Sequence, residues 1–94
     1  MITGIHLESL GARLREARIA RGDSQVVFAE RIGVAPSTLR AMENGEPAPA
    51  IGHWLAALWV LDRLPEIDTI LVQESLFENH AGRRRVGRKR SGNP

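Results

Sequence analysis

The sequence predicts an all-α fold of five short helices followed by a flexible basic tail. Apolar residues recur at helical spacing, glycines and prolines stand where such helices would end or begin, and no stretch has the pattern of a strand. The 94 residues suffice for one domain. We place this domain at residues 1–80 and the tail at 81–94.

The first two helices are predicted from periodicity and from their end signals. Helix one spans about residues 7–21, where leucines recur every three or four positions, and Gly22 can close it in the left-handed conformation. Ser24 suits the N-cap of helix two, which spans about residues 25–32. Gly33 supplies the turn that follows, because glycine adopts positive φ at little cost.

The remaining three helices differ in character. Helix three spans about residues 36–43, with Pro36 at its first position, where a missing N–H costs nothing, and it ends at Asn44. Helix four, about residues 50–63, is apolar on more than one face, so it is either central to the core or exposes apolar surface to another chain. A fifth helix is predicted after Pro65.

Composition argues against several classes of protein. The chain has no cysteine, which removes disulfides, thiol catalysis and Cys-ligated metals. No apolar run approaches the roughly 20 residues of a membrane span, and the N-terminus lacks a signal-peptide pattern, so we expect a cytoplasmic protein without membrane contact. His6, His53 and His80 lie in no metal-binding spacing. We therefore predict no catalytic residue, metal or cofactor, and we expect His53 to be a partly exposed helix residue.

Charge is distributed unevenly along the chain. Residues 1–81 carry seven arginines and eleven acidic residues, whereas residues 82–94 carry six cations and no acid. An acidic body with a basic tail suggests a polyanionic partner, reached at least partly through the tail. A solvated tail that only aids solubility is the alternative. The tail cations are Arg83, Arg84, Arg85, Arg88, Lys89 and Arg90.

The most informative stretch is Gln25–Gly45, two short helices joined by a tight turn. It combines a small residue, Ala29, where the two helices would cross, with Gly33 at the turn and a trailing Glu-Asn-Gly. On these positions residues 7–62 resemble the Cro/CI-type helix-turn-helix domain (the Xre family) of phage repressors and bacterial regulators. The resemblance implies a lambda-repressor-like domain that binds double-stranded DNA. The further matching positions are Val34, Leu39, Met42 and Glu43.

The resemblance also implies roles for individual residues. Helix three would enter the major groove, where Arg40 is the one side chain suited to a bidentate guanine contact, so shape readout should carry a large share of the preference. Arg18 would form a partly buried pair with Glu43 that fixes the angle of helix three. Gln25 would contact a phosphate. The implied DNA-binding residues are Gln25, Pro36, Ser37, Thr38, Arg40, Ala41 and Asn44.

Helix four carries both tryptophans, Trp54 and Trp59. Each could be a core residue, but a small domain has little interior for two, and tryptophan is enriched at interfaces. Members of the family commonly dimerise through the region after helix three. We therefore predict a homodimer with interface residues Leu55, Trp59, Ile67, Ile70 and Leu71.

The expected function is that of a transcriptional regulator, most simply a repressor that binds operator DNA as a dimer. The apolar helix four and the short basic tail also resemble HipB-like antitoxins, dimeric repressors that bind their own promoter and hold a kinase toxin. A stand-alone or phage-type repressor is the nearest alternative. A helical protein–protein adaptor without a DNA role is the alternative from another class.

Overall fold

The computed structural model describes residues 2–73, and this part of the chain contains four α-helices and one 3-10 helix. The α-helices are α1 (Ile2–Arg21), α2 (Gln25–Ile32), α3 (Pro36–Glu43) and α4 (Ile51–Val60), and the 3-10 helix is Leu64–Thr69. The described residues form no strand, so the predicted all-α class is confirmed. The basic tail and its boundary at residue 81 lie outside the described residues and stay predictions.

Two helices differ in length from the prediction. Helix α1 begins at Ile2 and not near residue 7, and α4 ends at Val60 and not near residue 63. Helix α4 stops because Asp62 adopts a left-handed conformation with φ 60°. The Arg63 N–H then donates to the Leu58 carbonyl at 2.8 Å, which is the bond pattern of a closed helix end.

The predicted fifth helix is a 3-10 helix that begins at Leu64, one residue before Pro65. Its six residues are too few for a stable α-helix of their own, and 3-10 geometry is used in such short pieces. Arg63 Nε donates to Glu66 Oε2 at 2.6 Å, and this bond lowers the pKa of the Glu66 carboxyl. After the helix, Ile70 is extended and Leu71 has φ 61°, so the chain leaves the helical path at Ile70.

The core lies where the four α-helices meet. Phe28, Leu39 and Met42 have completely buried side chains, and Trp54 is 9% exposed beside them. Trp59 is 70% exposed, so only one of the two tryptophans belongs to the core of the protomer. The other buried apolar residues are Leu14, Ala29, Ile32 and Ala57.

Helix α1 passes very close to the C-terminal end of α3. A Cβ atom on Gly11 would lie 2.5 Å from the carbonyl oxygen of Glu43. Gly45 has φ +75°, and a Cβ atom there would lie 2.6 Å from the Cα of Glu8. Glycine is required at both places because backbone meets backbone. This double contact fixes the position of the end of α3 against α1.

Candidate nucleic-acid interface

The turn between α2 and α3 is built from local hydrogen bonds. Ser24 Oγ accepts from the Val27 N–H at 3.1 Å at the start of α2. At its end Gly33 has φ 81°, and the N–H groups of Gly33 and Val34 donate to the Ala29 carbonyl at 2.9 and 3.0 Å. The left-handed conformation of Gly33 ends α2 and changes the direction of the chain. Helix α3 then starts three residues later, at Pro36.

Helix α3 is buried on one side and open on the other. Leu39, Met42 and Glu43 are buried, whereas Pro36, Ser37, Arg40 and Asn44 are exposed and Thr38 and Ala41 are half-buried. At about 100° per residue, Ser37 and Ala41 lie at the centre of the open face. Arg40 then lies on one edge of that face and Thr38 on the other.

A buried ion pair joins α1 to the end of α3. Arg18 Nε donates to Glu43 Oε2 at 2.6 Å and Arg18 Nη2 donates to Glu43 Oε1 at 3.2 Å. Arg18 is 7% exposed and Glu43 is 6% exposed. Arg18 Nη1 also donates to the carbonyl of Asp23 at 2.9 Å, which brings the α1–α2 turn into the same network.

Gln25, for which the resemblance implies a phosphate contact, is the third member of this network. Its Nε2 donates to Glu43 Oε1 at 3.0 Å, and the side chain is half-buried. An amide nitrogen carries two N–H groups, so this bond leaves one donor for another partner. The sequence alone did not indicate the bond, because nothing local relates the two residues.

Arg40 differs from the neighbouring arginines of the helix-turn-helix. Arg21 and Arg31 both donate to Asp23, at 3.2 and 3.1 Å. Arg40 takes part in no ion pair within residues 2–73. The open face of α3 therefore presents one positive charge that no acidic side chain of the described domain neutralises. Ala35, which precedes α3, offers no side-chain acceptor to the first turn of the helix.

The residues predicted for a dimer interface fall on two surfaces that meet at Ile51. Ile67 and Ile70 line an apolar groove of about 350 Å³ between α1, α4 and the 3-10 helix. Leu55 and Trp59 continue from Ile51 at four-residue intervals, which places them along one side of α4. We call the first surface the apolar groove and the second the α4 stripe. Leu71 is 87% exposed just after the 3-10 helix. The other apolar residues of the groove include Leu7, Leu10 and Leu58, which sequence reasoning did not assign to an interface.

Other kinds of site have little support in the described domain. Within residues 2–73 no three His, Asp or Glu side chains come together as metal ligands would. None of the helices seen there combines the length and the apolar character that crossing a bilayer requires. The six cations of the tail lie outside the described residues.

The comparison with protein families identifies the chain. The family model described as Helix-turn-helix (HTH_3) matches residues 14–61, just over half of the sequence, which contains α2, the turn, α3 and α4. No curated protein and no solved structure matches the chain. The match confirms the lambda-repressor-like fold class. Helix α3 is the second helix of the motif, and in such proteins the second helix enters the major groove. The chain therefore belongs to the Cro/CI-type helix-turn-helix family and is a DNA-binding transcriptional regulator.

Proposed function

We propose that the protein is a repressor that binds operator DNA as a homodimer, with α3 of each protomer in the major groove. The observation that carries this proposal is the open face of α3, on which Ser37 and Arg40 are exposed. The opposite face packs into the core through Leu39 and Met42, both completely buried. A helix held rigidly on one side and free on the other is suited to entering a groove about 12 Å wide.

Direct base readout falls mainly to Arg40 in this proposal. Its guanidinium is free of an acidic partner in the described domain and can donate two parallel bonds to O6 and N7 of a guanine. Ser37 and Thr38 can donate to or accept from either kind of base pair. Pro36 and Ala41 can contact a thymine methyl group. With one strong reader per protomer, DNA shape should contribute much of the preference.

Contacts with the phosphate backbone would fix the register of α3. The bond from Gln25 to Glu43 orients its side chain at the start of α2, and its second N–H can donate to a phosphate oxygen. Asn44 is exposed at the opposite end of α3. We further propose that the cations of the tail contact phosphates or the minor groove. These are Arg83, Arg84, Arg85, Arg88, Lys89 and Arg90.

Dimerisation is proposed because the protomer leaves large apolar side chains in water. Ile51, Trp59, Ile70 and Leu71 are between 60% and 87% exposed. Contiguous apolar surface of this kind usually marks an interaction site. A dimer would also place two α3 helices on successive half-sites about one helical turn apart, which doubles the readout that a single Arg40 supplies.

The test measures binding of the protein to the region upstream of its own gene and to a scrambled duplex of equal length. We expect wild-type protein to prefer the upstream region in a gel shift, and Arg40→Ala to lose the part of that preference that a bidentate guanine contact supplies, about 1–3 kcal/mol. Arg15→Ala, which removes an exposed arginine of α1, is the matched control and should keep it. Equal binding of wild-type protein to both duplexes would reject the proposal.

The apolar groove and the α4 stripe, which meet at Ile51, favour an autoregulating antitoxin as a second candidate. One surface can hold the dimer mate, which leaves the other for a partner protein such as a toxin. Co-expression with the product of an adjacent gene and purification through a tag on that product separates the candidates. Co-purification supports the antitoxin, and its failure supports a stand-alone or phage-type repressor. Either role places the protein in the cytoplasm beside the DNA.

A further inference from the structure

A shallow cleft of about 410 Å³ lies between the open face of α3 and the start of α4. One wall of the cleft is Ser37, Thr38 and Ala41 from α3 itself. The other wall comes from the α3–α4 loop and the first turn of α4, where the residues are Ala48, Pro49, Ala50 and His53. Within residues 2–73, His53 is therefore the one ionisable side chain that lines the cleft, and it is half-buried there.

The position of the cleft follows from the geometry of α3. Thr38 is on the edge of the open face opposite Arg40, and Thr38 is also part of the cleft wall. A helix with its side chains is about 10–12 Å across, so it fills a major groove about 12 Å wide. When Ser37 and Ala41 face the bases, we expect the phosphates that border the groove to lie against the elements beside α3. On the Thr38 side these elements are the α3–α4 loop and His53.

We propose that His53 contacts a DNA phosphate and that its protonated form binds DNA more strongly than its neutral form. The inference rests on the proposed function, since it takes the open face of α3 as the face turned to DNA. An imidazolium donates from both ring nitrogens and carries a positive charge, whereas neutral imidazole can donate from one nitrogen only. Histidine is also the side chain that changes charge between pH 5 and 8.

The charges around His53 allow this role. The side chains that face it across the cleft, from α3 and from the loop, are uncharged. Glu46 in the loop and Arg40 on α3 are exposed, and neither lines the cleft. Within the cleft no carboxylate of the described domain is present to pair with an imidazolium, so a phosphate oxygen would be its counter-charge. DNA affinity should then be higher at pH 6.0 than at pH 8.0.

The experiment uses the full chain and a labelled mixed-sequence duplex of about 30 base pairs, because binding without sequence preference depends on phosphates. Fluorescence anisotropy gives the slope of log K against log salt at pH 6.0 and at pH 8.0. For wild-type protein we expect a slope steeper by about 0.9 per protomer at pH 6.0, and an affinity roughly fivefold higher than at pH 8.0.

Three variants isolate His53. His53→Gln should show the shallow slope at both pH values, and His53→Arg, which keeps the charge, should show the steep slope at both. His6→Gln removes an exposed histidine of α1 and should behave as the wild type does. Circular dichroism confirms that each variant is folded. An Arg40→Glu variant reports on the proposed function, since it should weaken binding at both pH values.

The outcomes separate the two proposals. If Arg40→Glu weakens binding while His53→Gln keeps the wild-type change of slope with pH, the assignment of His53 is wrong and the DNA-binding role of α3 stands. Loss of the pH effect in His6→Gln would also overturn the assignment. If Arg40→Glu binds as the wild type does, the open face of α3 is not the face turned to DNA, and both proposals fail.

Discussion

Arg18 and Glu43 meet through two hydrogen bonds, of 2.6 and 3.2 Å, although 25 residues separate them along the chain. Glu43 is the last residue of α3, so the pair holds the end of that helix against α1. Gln25 at the start of α2 donates to the same carboxylate at 3.0 Å. Three helices therefore share one anchor, and the direction of the open face of α3 depends on it.

Removing the charge of Glu43 should strongly destabilise the domain. Glu43→Gln leaves the guanidinium of Arg18 buried without its counter-charge, and we expect the free energy of unfolding to fall by about 3–5 kcal/mol in urea denaturation. Glu66→Gln makes the same substitution in the pair with Arg63, where both side chains are more than half exposed, and should cost less than about 1 kcal/mol. Equal losses for the two variants would contradict the structural role of the buried pair.

Two glycines of α1 should respond to alanine in opposite directions. A Cβ atom on Gly11 would collide with the backbone of α3, and we expect Gly11→Ala to destabilise the domain by about 1–3 kcal/mol. Gly4 has open space around it, so Gly4→Ala should stabilise α1 by up to about 1 kcal/mol through helix propensity alone. Thermal unfolding measures both. A stabilising Gly11→Ala would mean that α1 and α3 do not approach closely in solution.

The sequence could predict those parts of the fold that depend on local signals. The bounds of α2 and α3 were correct because their signals are local: Ser24 caps within three residues, Gly33 closes its own turn and Pro36 starts a helix. The need for Gly11 depends on the backbone of residue 43, which no short-range pattern reveals. The same holds for the bond from Gln25 to Glu43 and for the cleft beside His53.

The C-terminal half of the described domain was harder to predict for a different reason. Periodicity placed the end of α4 near residue 63, because Leu61 continues the apolar pattern. The helix ends earlier because Asp62 takes a left-handed conformation, and aspartate gives only a weak signal for it. After Pro65 the apolar spacing is correct for a helix, but spacing does not distinguish an α-helix from a 3-10 helix in six residues.

The conformation of Asp62 predicts a stabilising substitution. Residues other than glycine adopt φ near 60° at a cost of roughly 1 kcal/mol, so Asp62→Gly should raise the free energy of unfolding by up to about that amount. Asp68→Gly is the matched control, because Asp68 lies within the 3-10 helix, and we expect it to destabilise. Thermal unfolding at one protein concentration compares them. If Asp62→Gly is less stable than the wild type, the carboxylate of Asp62 makes a contact that stabilises the domain by more than the positive φ costs.

Trp59 should matter for self-association and little for the protomer. It is 70% exposed on the α4 stripe, so Trp59→Ala creates no cavity in the core. If the stripe is the dimer interface, removing a tryptophan that the dimer would bury should weaken dimerisation by about 2 kcal/mol or more, roughly thirtyfold. Sedimentation of the wild type and the variant across a concentration series measures this. Ile19→Ala removes a half-exposed apolar side chain of α1 and is the control. Identical dissociation constants for all three proteins would move the interface away from the stripe.

The six cations of residues 82–94 should contribute to the salt dependence of DNA binding and not to its sequence preference. Each phosphate that the protein no longer neutralises reduces the magnitude of the slope of log K against log salt by about 0.9, so deleting residues 82–94 should flatten it by up to about 5 per protomer.

Deleting only residues 91–94, which are uncharged, controls for truncation. Replacing the six cations by glutamine at full length separates charge from chain length and should flatten the slope equally. The preference for the upstream region over a scrambled duplex should survive in all of these proteins, because Arg40 and the rest of α3 are intact. A slope that does not change when the charges are removed would leave the tail without a phosphate role and assign the whole electrostatic contribution to the helical domain.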